Sequence, residues 1–222
     1  DTAQNIEAMK IDAVVMRHPT PGAPKHLREF IDAVIINAGD GAHEHPTQAI
    51  LDMMSLQEVF GRLNKLKIGI IGDISHSRVA LSNIYGLKTM GAEITLCGPP
   101  NLIPRYIEDL GVHINYNIDE VIEWADALNV LRIQRERMGL GLIASNREYR
   151  AMFGITNERL KDHKKEIIIM HPGPINRGVE IDSLVADSDQ AIILDQVLNG
   201  VASRMAILYL LCGGKLDKDN ES

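Results

Sequence analysis

Gly39-Asp-Gly-Ala-His-Glu-His45-Pro-Thr-Gln48, running on into Ala49-Ile-Leu-Asp-Met-Met54, joins two kinds of segment. Ahead of it, Ala33 to Asn37 is an apolar run of strand length, and Gly39 and Gly41 predict a tight polar turn. Pro46 suits the first position of a helix, where its missing N–H costs no hydrogen bond. Ile50, Leu51, Met54 and Leu56 then recur at near-helical spacing, so the helix is expected to run to about Val59 and stop at Gly61. Polar residues at the junction of a strand and a helix are where α/β proteins gather anions, because free N–H groups point outward there. His45 and Gln48, three apart, can look into one cleft. A plain turn capped by His45 fits the local pattern equally well.

Outward from this junction the alternation continues. On the N-terminal side, Thr2 can cap a short helix through Met9 and Asp12 to Met16 reads as a strand with Arg17 at its end. His18-Pro-Thr-Pro-Gly-Ala-Pro must be loop, and Lys25 to Ile31 a short helix. On the C-terminal side, Lys67 to Ile71 and Glu93 to Cys97 are strands around a helix from Ser77 to Met90. Leu102 to Leu110, Val112 to Tyr116, Ile118 to Trp124 and Asp126 to Leu131 repeat the pattern. Beyond a charged stretch to Gly141, helices are expected at about Asn146 to Phe153 and Asn157 to Asp162, then a strand from Glu166 to Met170. A last helix, about Ala191 to Cys212, sets Ile192, Val197, Val201, Met205, Leu208 and Leu211 near one stripe that calls for burial. The fold class is α/β, parallel sheets with flanking helices. Gly69-Ile-Ile-Gly72-Asp73 is not Gly-x-Gly-x-x-Gly, and the next strand ends in Cys97-Gly-Pro-Pro rather than in an acid, which disfavours a dinucleotide site.

Size and charge narrow the class. With 222 residues, 45% hydrophobic and 24% charged, the chain is globular and long enough for one large domain or two small ones. A net charge of −7 favours neither nucleic acid nor an anionic membrane as a partner. Cys97 and Cys212 have no metal-ligand spacing, and so few cysteines suit a reducing, cytoplasmic setting. No apolar run is long enough to span a bilayer.

His45-Pro-Thr-Gln48 after Asn37-Ala-Gly-Asp-Gly resembles the signature of the aspartate/ornithine carbamoyltransferase family, in its aspartate branch. Met16-Arg17-His-Pro, Gly72-Asp-Ile-Ser-His-Ser-Arg78, Arg132-Ile-Gln134-Arg-Glu-Arg137 and His171-Pro-Gly-Pro174 agree with it in order and spacing. The resemblance runs from residue 1 to about Gly214. It implies the remnant of a carbamoyl-phosphate domain with a linking helix (1–60), a complete Rossmann-like aspartate domain (61–190), and a terminal helix and tail (191–222) packing back on the first domain. It further implies transfer of a carbamoyl group from carbamoyl phosphate to L-aspartate, in pyrimidine biosynthesis, with no cofactor and no metal.

By the same resemblance, Arg17 and His45 contact carbamoyl phosphate and act on its reacting group, Gln48 meets its amide, and the loop at Gly173 and Pro174 offers backbone carbonyls. Arg78, Arg132 and Gln134 would hold aspartate, Arg137 would order a mobile loop, and Arg135 and His76 are left as solvated and supporting residues. Many members carry Leu where Gly173 stands. Family members are longer, with an N-terminal portion bearing a Ser-Thr-Arg-Thr phosphate motif and a serine–lysine loop lent by a neighbouring subunit. This implies that the 222 residues are part of a longer chain. The family assembles as homotrimers with shared sites, some joined further to regulatory or dihydroorotase chains.

Two alternatives stay open on the residues. The ornithine branch would favour cysteine near the substrate, whereas Thr47 and Gly173 occupy those places and both cysteines lie elsewhere. An inactive chain serving as a scaffold in a transferase assembly is the non-enzymatic reading.

Overall fold

The computed structural model describes residues 2–133, 145–161, 163 and 166–213. Its first unit is small. Helix α1 (Thr2–Ala8) leads to β1 (Ala13–His18), α2 (Ala23–Leu27) and β2 (Val34–Asp40), and β1 and β2 pair in parallel as a two-stranded sheet. Arg17 therefore lies within a strand, and β2 runs three residues further than the apolar run predicted. Between Met16, opposite Asn37, and His18, opposite Asp40, the register slips because β2 contains one residue more. This irregularity falls at Arg17 and Gly39, beside the junction that opens α3 (Pro46–Phe60). Helix α3 begins at Pro46 and ends against Gly61, as read from the sequence.

The larger unit holds β3 (Lys67–Ile71), α4 (Arg78–Thr89), β4 (Glu93–Cys97), β5 (His113–Ile114), α5 (Ile118–Trp124), β6 (Ala127–Val130), α6 (Asn146–Phe153), α7 (Asn157–Lys161), β7 (Ile168–Met170), α8 (Ser183–Ala186) and α9 (Ile193–Leu211). Its five strands form a parallel sheet in the order β5-β4-β3-β6-β7. The chain winds out from β3 to one edge, then returns to β6 on the other side of β3. That reversal opens a crevice at the carboxyl ends of β3 and β6, where ligands bind in open α/β sheets. Between β4 and β5 the segment read as helical from Leu102 forms two 3-10 turns, Pro100–Leu102 and Ile107–Leu110. The short helix α8 was not foreseen.

Alternate residues of the sheet feed two cores, as a sheet covered on both faces requires. Ile68 and Ile70 pack with Leu56, Ile84 and Leu96 on one face, while Ile71 packs with Val121, Leu128 and Phe153 on the other. Gly69 belongs to this packing. A Cβ there would stand 2.7 Å from Leu128 and 2.9 Å from Val121, so the missing side chain lets α5 approach β3. The glycine of the rejected dinucleotide motif thus has a packing role.

Helix α9 corrects its reading. Its buried residues are Ile193, Gln196, Asn199, Gly200 and Ser203, a largely polar face packed on α3. Asn199 Nδ2 donates to Ser55 Oγ at 3.0 Å and to Glu58 Oε2 at 2.6 Å. Val197, Val201, Met205, Leu208 and Leu211 are exposed instead of buried; only Ile192, just before the helix, is covered.

Candidate active site

Three of the motifs deliver arginines to the crevice. Arg78 is the first residue of α4, whose N-cap Ser77 accepts from the Ala80 N–H at 3.2 Å. Arg132 follows β6 by two residues. Arg17 comes from β1 in the smaller unit, and α3 brings His45 and Gln48 at its N-terminal end. Together with Pro172, Gly173 and Pro174 after β7, these side chains line one cavity of about 450 Å³. Gln134, Arg135 and Arg137 lie outside the described residues.

The lining includes a residue that the motifs did not reveal. Arg204, on α9, enters the same cavity, with Nη1 donating to the Gly200 carbonyl at 2.8 Å. Its helix is recognisable by its apolar period, and a single arginine between Ser203 and Met205 has no motif to announce it. Four arginines and a histidine therefore face one space, and among the described residues no carboxylate lines it.

This charge sets the state of His45. Its pKa falls from 6.5 to about 4, first because the ring is withdrawn from water, then because Arg17, Arg204 and Arg78 repel a proton. The ring is neutral at neutral pH, through burial and guanidinium groups rather than through the helix N-terminus alone. Nor is its side chain a cap: it makes no capping bond to α3, while its backbone N–H donates to Ser82 Oγ at 2.8 Å. The Thr47 hydroxyl lies 3.5 Å from Nδ1 and can donate to it or accept from it, according to the tautomer.

Gly39 makes room for Arg78. At φ +134° in the last turn of β2, it lies so close that a Cβ would collide with Arg78 Nη1 and sit 3.2 Å from its Cδ. The guanidinium, buried with its residue 7% exposed, lies across glycine backbone.

The loop after β7 is held from three sides. The His171 N–H donates to Gln196 Oε1 at 2.9 Å, and the Gly173 N–H donates to His171 Nδ1 at 2.8 Å. That bond leaves the ring proton on Nε2, 3.3 Å from Glu180 Oε1 in the buried interior. Asn176 completes the hold: its N–H donates to Glu180 Oε1 at 2.6 Å, and its Nδ2 to the Ile133 carbonyl at 3.2 Å, next to Arg132. Gly173 sits in the left-handed region at φ +68°. His76 donates inward to Asp73 at 2.9 Å, which suits the supporting part assigned to it.

Two family models cover almost the whole chain. Residues 64–211 match the Asp/Orn binding domain of aspartate/ornithine carbamoyltransferase, and residues 1–58 match its carbamoyl-P binding domain. The chain belongs to the aspartate/ornithine carbamoyltransferase family. Among curated members, the aspartate carbamoyltransferase catalytic subunit of Gemmatimonas aurantiaca is 57% identical over 215 residues, 97% of this chain and 67% of that one. That of Christiangramia forsetii is 59% identical over 211 residues, 95% of this chain and 68% of that one. Among solved carbamoyltransferase structures, the catalytic subunit of M. jannaschii aspartate transcarbamoylase aligns with a TM-score of 0.82 at 34% identity, over 100% of this chain and 72% of that one. Aspartate transcarbamoylase from Trypanosoma cruzi in complex with carbamoyl phosphate aligns with a TM-score of 0.85 at 29% identity, over 97% and 70%. The chain thus spans about two thirds of the length of these carbamoyltransferases.

Proposed function

We propose that the protein transfers the carbamoyl group of carbamoyl phosphate to the α-amine of L-aspartate, giving N-carbamoyl-L-aspartate and phosphate. One observation carries the reading: four arginines and a neutral histidine line a single cavity at the crevice where the sheet reverses, with no carboxylate among the described lining residues. A phosphate dianion and a dicarboxylate together need this many cations, and a guanidinium fork suits both.

In this reading Arg17 binds the phosphate and His45 donates from Nε2 to the carbamoyl carbonyl oxygen. A bond forms from the amine nitrogen to the carbonyl carbon, so negative charge gathers on that oxygen, where His45 and Arg17 meet it. The C–O bond to phosphate then breaks, and the amine proton leaves with the phosphate. Arg78 and Arg132 hold the two carboxylates of aspartate, with Gln134 beside Arg132. Gln48 accepts from the carbamoyl NH₂, as do the carbonyls around Gly173 and Pro174. Arg204 adds positive charge and helps to keep His45 neutral. Orientation of two substrates against preset donors accounts for most of the acceleration in such a step.

The reading extends to residues 1–60 as part of the carbamoyl-phosphate domain, 61–190 as the aspartate domain and 191–222 as the returning helix. It also includes a cytoplasmic enzyme of pyrimidine biosynthesis working as a homotrimer with shared sites. Two free cysteines and high identity to catalytic subunits support these parts. The test is a ureido-product assay on the full-length protein with carbamoyl phosphate and either L-aspartate or L-ornithine. Turnover with aspartate alone is expected. Turnover with ornithine, or with neither acceptor, would overturn the reading.

A further inference from the structure

Beneath the cavity floor lies a carboxylate that the reaction does not touch. Asp52, on α3, is 0% exposed, and four side-chain amides from four elements converge on it. Gln48 Nε2 and Gln196 Nε2 donate to Oδ1 at 2.9 and 2.8 Å; Asn83 Nδ2 and Asn129 Nδ2 donate to Oδ2 at 2.8 and 3.2 Å. A charged group wholly out of water costs several kcal/mol unless its partners satisfy it, so a lone aspartate inside an apolar helix asks for a reason.

The direction of these bonds is set by a group that cannot turn over. The backbone N–H of His171 can only donate, so the Gln196 atom facing it is the oxygen. Gln196 must then present its NH₂ to Asp52 Oδ1, and this oxygen must accept. While Oδ1 carries no proton, Gln48, bonded to the same oxygen, must also turn its NH₂ inward. Its Oε1 is left for the cavity that Gln48 lines. Burial raises the pKa of Asp52, and a proton on Oδ2 leaves this order intact: Asn129, whose Oδ1 is buried without a hydrogen-bond partner, can turn over to accept it, while Asn83 stays held by the Val79 carbonyl at 3.2 Å.

We propose that Asp52 is a positioning residue that, through Gln196 and the His171 backbone, locks Gln48 as a hydrogen-bond acceptor, and thereby selects an acyl phosphate bearing NH₂ over one bearing CH₃. This rests on the reading in which Gln48 meets the carbamoyl group. A Gln48 free to turn over would present NH₂ to NH₂ half of the time and would favour neither ligand. The same chain ties Gln48 to the loop of Pro172–Pro174, so the two acceptors of the carbamoyl NH₂ are set by one network.

The probe is acetyl phosphate, which replaces the carbamoyl NH₂ by a methyl group of similar size. Its inhibition constant, divided by the dissociation constant of carbamoyl phosphate, measures the discrimination in the full-length protein. Loss of one neutral hydrogen bond should lower that ratio roughly three- to tenfold in Gln48→Ala. Asp52→Leu is expected to lower it equally, and the double variant no further. Asp52→Asn should keep it, because its oxygen still accepts from Gln48 and Gln196, while its nitrogen donates to Asn129, whose amide can turn over; Asn83, also bonded to the Val79 carbonyl, loses only its contact here.

A structural defect would weaken both ligands alike and leave the ratio unchanged. An undiminished ratio in Asp52→Leu, or an Asp52→Asn ratio as low as that of Asp52→Leu, would overturn the proposal. Should Asp52→Leu not fold, the Gln48 side-chain amide in the native protein decides: its N–H signals should be protected from exchange before and after acetyl phosphate is added, and rapid exchange would overturn the lock. A native protein in which neither Gln48→Ala nor the other variants alter the ratio, because no discrimination exists, would instead bring down the placing of Gln48 at the carbamoyl group, and this proposal with it.

Discussion

His45 shows how the cavity's charge becomes a property of one ring. Burial and three guanidinium groups lower its pKa from 6.5 to about 4. The folded chain therefore binds fewer protons at this position than the unfolded chain between those pH values. Stability must rise with pH across that window, and it is lost as pH falls from 6.5 toward about 4. Urea titrations at pH 7 and pH 4.5 should show less acid destabilisation for His45→Gln than for the native chain; equal losses would mean that the ring titrates normally. At neutral pH the ring is a donor without charge. Removing it in His45→Ala should lower kcat roughly ten- to a thousandfold while circular dichroism stays native, the effect of losing one donor to a developing oxyanion. Activity lost only in step with the folded fraction would make His45 a structural residue.

Elements differ in how legible they were. Helix α3 could be bounded from Pro46 and Gly61 because each has one conformational use there. Strands β3 and β4 were found at their observed limits because two covered faces demand unbroken apolar runs. The end of β2 was not found, since Gly39 and Gly41 signal a turn equally well at either position. The residue that uses Gly39 is remote in sequence: the Arg78 guanidinium at the start of α4 lies against it. Gly39→Ala is therefore expected to displace Arg78 and raise the aspartate KM roughly tenfold or more, the scale of one weakened charge-assisted contact. Carbamoyl phosphate binding should change little. Steady-state kinetics with both constants unchanged would show that Arg78 can lie elsewhere without cost.

At the scale of the molecule, the five motifs were legible through the family resemblance, and the described residues of each come to one crevice or to the loops beside it. Arg204, Asp52 and Gln196 were not, because each lies in a helix read for its apolar residues, with no motif around it. Pattern rules follow the apolar period and do not tell which of the polar residues between its members are buried. Helix α9 inverted its reading for the same reason: its polar residues, bonded to α3, are the buried ones. Outside them Leu194 is 82% exposed, Leu198 68% and Met205 65%, and among the described residues the β1–β2 sheet has two strands. A polypeptide of these 222 residues alone should self-associate in a concentration-dependent way through that apolar surface. Sedimentation velocity showing a monodisperse monomer at all concentrations would contradict this. Leu198→Lys combined with Met205→Lys should reduce the association.

The central claim is that one cavity receives two anionic substrates on separate sets of arginines. Its most direct test is the steady-state kinetics of Arg132→Ala in the full-length protein, with each substrate varied in turn. A charge-assisted contact is worth roughly 1.5–3 kcal/mol, so the aspartate KM should rise about ten- to a hundredfold while the dissociation constant of carbamoyl phosphate stays as in the native enzyme. An unchanged aspartate KM and kcat, or a loss falling equally on both substrates, would contradict the account.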